Sequence, residues 1–480
     1  MSRYNSFSFL SQIGVKQGCN LSPNLFNLFI NDIPQLFDSS CDPVDLKSKR
    51  ISCLLYADDL IILSESESGL QKSLNLLNNY TNEWKLQVNF KKSKVMIFAK
   101  DFKKRKFITN WHLNDIQLDV VEEYVYLGVV FHFSGNFNLA QKYLYDKALR
   151  AYHSIFKKIS NIERVPVKVL LKLFDSCVKP ILLYACEIWG KNCLGRIAKF
   201  DVFKSKMFKT MILAEKLHIR FCKRVLGVHS KATNLAVYAE LGRVPLLVQI
   251  SNLIIKYWLR LKDTSYQNTL VGEARKLSEK MNSEHVTFIN FLFQLCGHRG
   301  LINKKISLNQ VSSTAKQLKL KLIKNFENYM TCQVLITKSD SNNEGGEMKL
   351  FRKIKTNMCQ EPYLHNVTNI EHRHAVSKLR ISAHRLPIEM GRYAGIPAEK
   401  RLCMICEKNQ VGDEYHYVME CDDDNVLNLR KCFFEHIYAV NKKYQLLDKC
   451  SLFTYLLSMK DELLMKFFAK YVYDMLTVVS

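Results

Sequence analysis

Apolar positions along the chain fall into two regimes. Up to about residue 135, short apolar runs alternate with amphipathic stretches, the signature of an α/β arrangement. Leu25, Phe26, Phe29 and Ile30 form one face of a helix predicted from Pro23 to Ile33, with Pro23 suited to its first turn. The runs Ile51 to Tyr56 and Leu60 to Leu63 read as strands separated by Ala57, Asp58 and Asp59, a hairpin with two carboxylates at its tip. Leu70, Leu74, Leu77 and Trp84 repeat at helical spacing, and strand-like runs return at Leu86 to Val88, Val95 to Ala99 and Tyr124 to Phe131. From about Asn136 to Met330 the pattern is helical throughout. The polar stretch Ser339 to Glu347 (SDSNNEGGE) marks a linker, followed by a Cys/His-bearing module and a helical tail to Ser480. The predicted divisions are 1–135, a helical region 136–338, a linker 339–365, the module 366–440 and the tail 441–480.

Composition adds a partner. The 480 residues carry 70 Lys+Arg against 45 Asp+Glu, a net charge of +25, and 48% hydrophobic residues exclude a disordered chain. Such a surplus is the electrostatic footprint for a polyanion, most simply nucleic acid. Between Gln141 and Arg224 there are 19 basic and 6 acidic residues, Lys204, Lys206 and Lys209 among them. One sign dominating several helices predicts a phosphate-facing surface rather than an ordinary solvated face. No apolar run is long enough to span a membrane; the richest, Ile181 to Trp189, is short and interrupted by Glu187. Met1 to Leu10 lacks the pattern of a signal peptide. Fifteen scattered cysteines suit a reducing, intracellular compartment, nuclear or cytoplasmic.

Adjacent carboxylates on a tight hairpin hold hard oxygen ligands near one point, as Mg²⁺ requires. Alone, such a pair is more often turn chemistry. Here it stands among other blocks. Gly14-Val15-Lys16-Gln17-Gly18 leads through Pro23 into Leu25 to Asp32; Leu55-Tyr56-Ala57-Asp58-Asp59-Leu60 follows, then Trp84, Asn89, Lys92-Ser93 and Tyr126-Leu127-Gly128. Pro180 to Gly190 and Gly391-Arg392-Tyr393 come later. In these blocks and their order the chain resembles reverse transcriptases of non-LTR (LINE-type) retrotransposons. The resemblance implies an α+β partial polymerase palm, an all-α basic thumb or connection region, and a small zinc-knuckle-like C-terminal module. It implies RNA-directed DNA polymerisation on an RNA template and DNA primer. Asp58 would ligate Mg²⁺ with Asp59 supporting it, while Gln17, Gly18 and Tyr56 would meet nucleotide and template and Lys92 the phosphates. One departure stands out. The family's earlier acidic block, Phe-x-Asp followed by Ala-Phe-Asp, has no counterpart before Gly14. The expectation is an N-terminally truncated chain, inactive alone. The alternative is a non-catalytic nucleic-acid-binding protein using the basic helices and the Cys/His module; an interaction scaffold leaves the charge unexplained.

Cys403-x-x-Cys406, His416 and Cys421 have the ligand types and spacing of a tetrahedral Zn²⁺ site, with Cys432 and His436 as lower-ranked alternatives. His372, His374 and His384 sit among Arg373, Arg380 and Arg385, a basic cluster expected to pack the linker against this module. Trp84, Trp111, Trp189 and Trp258 fall at apolar-periodic positions and are expected in cores.

Overall fold

The structure, a computed structural model, describes residues 14–16, 18–37, 39–46, 49–98, 110–159, 165–193, 212–297, 308–335, 349–355 and 357–479. Its contacts divide into two units, Met1–Leu139 with Leu261–Ser283, and Ala140–Arg260 with Glu284–Ser480. The helical region predicted over 136–338 is thus interrupted: Leu261–Ser283 belongs with the first unit.

In the first unit, helix α1 (Ser22–Phe29) ends earlier than the predicted Ile33. Pro34 has no amide to donate to the Ile30 carbonyl, so the chain passes into a 3₁₀ turn, Ile33–Leu36. Strands β1 (Cys53–Tyr56) and β2 (Asp59–Ile62) pair antiparallel with Tyr56 opposite Asp59, leaving Ala57 and Asp58 as a two-residue turn. Helix α2 (Glu67–Glu83) follows, its first turn capped by the Ser66 hydroxyl, which accepts from Gly69 N. Cys53, Leu55, Leu60 and Ile62 pack against a core of Ile30, Ile33, Phe37, Cys41 and Tyr80. Apolar alternation in β1 and β2 therefore buries one side of the hairpin against α1 and α2. Strands β3 (Glu123–Tyr126) and β4 (Val129–His132) form a second hairpin. Its turn residues Leu127 and Gly128 both have positive φ, as a type I′ turn requires.

Three sequence expectations fail here. Leu86–Val88 forms no strand, and of Val95–Ala99 the described part contributes only an isolated bridge from Val95 to Val120. Leu86 and Val88 instead fill two separate apolar clusters, so their hydrophobicity reports burial without ladder pairing. Trp84 lies just past the end of α2 and remains 41% exposed, its ring meeting Phe29 edge-on at 5.2 Å. Trp111, Trp189 and Trp258 are buried.

The second unit begins along helix α3 (Asn138–Lys158) and continues with α4 (Val167–Leu173) and a π turn, Phe174–Val178. Next come α5 (Leu213–Leu226), α6 (Asn234–Leu241), α7 (Leu246–Leu261) and α8 (Leu308–Leu335). Phe174 stacks on Phe221 of α5 at 4.5 Å. Lys204, Lys206 and Lys209 lie outside the described residues, as does Ser339–Glu347. Within the described part of the predicted linker, Lys349–Ile354 and the start of Tyr363–Asn366 are helical and bury Phe351, Tyr363 and Leu364.

Helices α9 (Ile370–Arg380), α10 (Pro387–Tyr393), α11 (Asp424–Val440), α12 (Lys449–Ser458) and α13 (Glu462–Val479) complete the unit. The predicted tail is integral to this core, since Phe433 of α11 stacks on Tyr471 of α13 at 4.8 Å. Arg380 sits at the end of α9, almost wholly buried. Its Nε donates to Glu240 Oε1 at 2.5 Å, its Nη2 lies 2.9 Å from Glu361 Oε2, and its Nη1 donates to the Leu457 carbonyl. Arg373 is buried as well and donates to the Val367 carbonyl at 3.1 Å. These arginines of the basic cluster are interior structural groups.

Removing one partner of a buried ion pair leaves an uncompensated charge. Arg380→Ala should therefore destabilise the chain by about 3–5 kcal/mol. The exposed Arg385→Ala should stay within about 0.5 kcal/mol. Urea unfolding of both variants checks this; equal midpoints would disprove it.

Candidate active site and metal centre

The β1–β2 turn is held tightly at its base and open at its tip. Ala57 adopts φ +52°, the left-handed region that L-residues enter at a cost of about 1–2 kcal/mol. The turn presents Asp58 and Asp59 to solvent. Among the described residues neither carboxylate is paired with a cation. Tyr56, opposite Asp59 in the ladder, is 62% exposed. The second hairpin stands near enough for the charge of Asp59 to reach it. The Tyr126 hydroxyl titrates above its ordinary value, first because it is partly buried and then because Asp59's negative charge disfavours a phenolate. Two residues back on the same strand face, the Tyr124 hydroxyl donates to the Lys92 carbonyl at 2.9 Å. The turn Asn89–Lys92 is thereby fastened to β3, with the Lys92 side chain exposed.

Gly14 and Gly18 have φ of +86° and +84°, and an added Cβ on either would meet nothing within 4 Å. Both stand in open space before α1, where Ser22 Oγ donates to the Lys16 carbonyl at 2.6 Å. Gln17 lies outside the described residues. The structure thus gathers Tyr56, Asp58, Asp59 and Tyr126 at one corner and ties Lys92 to the neighbouring strand. The roles of Tyr124 and Tyr126 escaped the sequence reading; their i, i+2 spacing in a strand was the available signal. No third carboxylate, thiol or imidazole joins Asp58 and Asp59 among the described residues. Asp175, a carboxylate of the helical region, is engaged by Arg243 at 2.7 Å and Lys179 at 2.9 Å. Burial opposes its ionisation, but these two cations hold its pKa below the ordinary value.

The second constellation is compact. The ligand atoms of Cys403, Cys406, His416 and Cys421 all lie within 4.8 Å of one another. Cys403 Sγ is 4.0 Å from Cys421 Sγ, and Cys406 Sγ is 3.3 Å from His416 Nε2. Bonds of about 2.3 Å to sulfur and 2.0 Å to nitrogen in a tetrahedron give edges of roughly 3.5–3.8 Å, so this donor set fits Zn²⁺. Local structure explains the convergence. Cys403 N donates to the Gln410 carbonyl at 2.8 Å, closing a knuckle. His416 Nδ1 lies 3.0 Å from Gln410 Oε1, which turns Nε2 toward the thiols. Burial raises the Cys403 thiol, but the Tyr417 hydroxyl and the amides of Ile405 and Cys406 together bring it below its ordinary value. Cys432 and His436 are exposed on α11 and stand apart from this group.

Residues 3–131 match the family model of reverse transcriptase (RNA-dependent DNA polymerase). The chain is 23% identical over 211 residues to the RNA-directed DNA polymerase from mobile element jockey of Drosophila funebris, covering 41% of this chain and 22% of that protein. It is 22% identical over 206 residues to its Drosophila melanogaster counterpart, covering 41% of this chain and 21% of the relative. It is 29% identical over 129 residues to the Pol polyprotein from the type-1 retrotransposable element R2 of Nasonia vitripennis, covering 25% of this chain and 12% of the relative. The chain therefore spans about a fifth of the length of the jockey polymerases. The resemblance to non-LTR retrotransposon reverse transcriptases holds over about 40% of the chain.

Asp59→Asn removes the charge that opposes ionisation of Tyr126 while leaving its burial intact. The Tyr126 pKa should fall toward, without reaching, its ordinary value. An NMR titration of the tyrosine rings, assigned with Tyr126→Phe, measures this; an unmoved Tyr126 would show that the two hairpins do not meet at Asp59.

Proposed function

We propose that this chain supplies the carboxylate-hairpin part of a retrotransposon-type RNA-directed DNA polymerase palm, with basic helices and a zinc knuckle beyond it. The observation that carries the reading is the Asp58–Asp59 pair. It is solvent-facing, unneutralised by any described cation, and set at a two-residue turn within the stretch matched by the reverse-transcriptase family. Two adjacent carboxylates without a partner repel each other, a situation relieved by a divalent cation. Mg²⁺ held there would stabilise charge on an attacking 3′ oxygen and a departing pyrophosphate. Asp58 is the proposed ligand and Asp59 its support. Gln17, Gly18 and Tyr56 are the proposed contacts to nucleotide and template, and Lys92 the proposed cation for the phosphates. An RNA template and a DNA primer are the proposed partners.

Among the described residues no third carboxylate clusters with Asp58 and Asp59 to serve as a further metal ligand. A protein of these 480 residues should show no template-dependent incorporation of deoxynucleotides with Mg²⁺ or Mn²⁺, yet should bind Mn²⁺ weakly. Electron paramagnetic resonance should detect that binding and its loss in Asp58→Asn. Incorporation abolished by Asp58→Ala would show that the centre is complete; Mn²⁺ binding unchanged in Asp58→Asn would remove the metal assignment.

Cys403, Cys406, His416 and Cys421 are the proposed zinc ligands. The full chain should carry about one Zn²⁺. Cys403→Ser and His416→Ala should each abolish it, and chelation should lower the melting temperature because metal binding supplies folding energy. Unchanged zinc content in both variants would mean the ligands are misassigned.

A further inference from the structure

Apart from the two sites described, a cleft in the second unit is lined by three lysines. Its volume is about 420 Å³, within the range that holds a nucleotide-sized ligand, and its walls include Lys216, Lys223, Lys231 and Asn234. Lys216 and Lys223 are seven residues apart on α5 and so share a face. Lys223 Nζ donates to the Ser230 carbonyl at 2.6 Å, which folds the α5–α6 loop over the helix and brings Lys231 to the cleft. None of the three lysines meets a carboxylate among the described residues. Nearby acids are committed elsewhere. Glu215 is buried against His218 at 2.8 Å, and Glu389 Oε2 accepts from Arg392 at 2.7 Å.

Beside the cleft stands an aromatic platform. Tyr393, at the end of α10, is 43% exposed. Lys231 Nζ lies 5.3 Å from its ring centre, the Arg392 guanidinium 4.6 Å, and His229 meets it edge-on at 6.2 Å. The His229 imidazole is held below its ordinary pKa by burial and then by Lys223, Lys231 and Arg392, consistent with these cations converging on one corner. A phosphodiester strand needs unpaired cations along its backbone and a flat apolar surface for its bases; this corner supplies both.

We propose that this cleft binds a single-stranded polynucleotide, with Lys216, Lys223 and Lys231 contacting phosphates and Tyr393 stacking on a base. The inference rests on the nucleic-acid reading above and is independent of the Asp58–Asp59 site. The test uses the full chain with fluorescein-labelled twelve-residue oligo(dT) and oligo(rU), followed by anisotropy across a salt series. Lys216→Gln combined with Lys231→Gln should reduce the log–log salt slope by about 1.4, at about 0.7 per lost single-strand contact. Tyr393→Ala should weaken binding about 5- to 150-fold, and Tyr393→Phe should retain it, since stacking needs the ring alone. Lys316→Gln with Lys319→Gln, exposed on α8, should change nothing. The losses are expected with both oligonucleotides, and the tighter of the two names the strand. Thermal melts identify any variant that fails to fold, in which case the surface lysine pair decides. If the wild-type chain binds but the lysine pair and Tyr393→Ala are both neutral, this cleft is refuted and the nucleic-acid reading survives. If the wild-type chain binds neither oligonucleotide, both fall.

Discussion

A guanidinium shut away from water organises the second unit. Burying an isolated ion costs several kcal/mol, so Arg380 is tolerable only where every donor is engaged and its charge is matched. Glu240 and Glu361 supply two negative charges, and Lys355, which donates to Glu361, supplies the second positive one. The four side chains form a locally neutral network. They come from three separate stretches of chain, Lys355 and Glu361 sharing one, and any shift among those stretches leaves a charge unpaired in an apolar interior. Glu240 lies near the end of α6, whose first residue, Asn234, lines the lysine cleft. Arg380 ends α9, and α10 with Tyr393 follows within a few residues. The Arg380–Glu240 pair thus ties the helix that begins at the cleft to the helix that precedes the aromatic platform.

The carboxylate hairpin is governed by the opposite condition. Its working residues are exposed, and what is buried is the other side of the same two strands. Because strand side chains alternate, the register that puts Cys53, Leu55, Leu60 and Ile62 on the core leaves a two-residue turn at Ala57–Asp58. A one-residue slip would expose those apolar groups. The positive φ at Ala57 is strain located beside the acids, sustained by packing elsewhere in the hairpin.

What the sequence disclosed follows from how local each interaction is. The hairpin was legible because alternation and a polar turn are encoded within thirteen residues, and the Cys-x-x-Cys knuckle because its four ligands fall within nineteen. The palm-like resemblance in the first part has been upheld by the family match, and the chain beyond it is predominantly helical. The reading failed where tertiary partners decide. Leu86 and Val88 are apolar enough for a strand yet have no strand to pair with. Trp84 keeps helical spacing but lies past the helix end, where the chain has already turned. In sequence Arg380 belongs to a basic cluster expected to pack the linker against the Cys/His module, and its pairing with Glu240 stays hidden because that carboxylate is 140 positions away. The corner between α5, its following loop and Tyr393 was equally invisible: its lysines and its ring are separated by more than 160 residues.

The Gly391-Arg392-Tyr393 block, which entered only as a point of resemblance, has a physical account. A Cβ on Gly391 would fall 2.6 Å from Cγ of Arg401, so a residue without a side chain is needed for α10 to lie against the chain entering the Cys3His knuckle. Arg401 Nη1 donates to the Ile388 carbonyl at 2.8 Å, and Ile388 N donates to the Gly412 carbonyl at 3.2 Å, binding α10 to both arms of that knuckle. Arg392 is fixed on Glu389, which leaves Tyr393 as the member of the block that faces outward. The knuckle is in turn anchored from beneath. Arg430 of α11 donates to the Cys421 carbonyl, and the Tyr471 hydroxyl of α13 donates to the Val418 carbonyl at 2.8 Å. An ion held by Cys403, Cys406, His416 and Cys421 would therefore rigidify the support of Tyr393 without touching its ring. Under the two proposals above, zinc at the knuckle would bear on nucleic-acid binding through α10, by holding an aromatic platform in place.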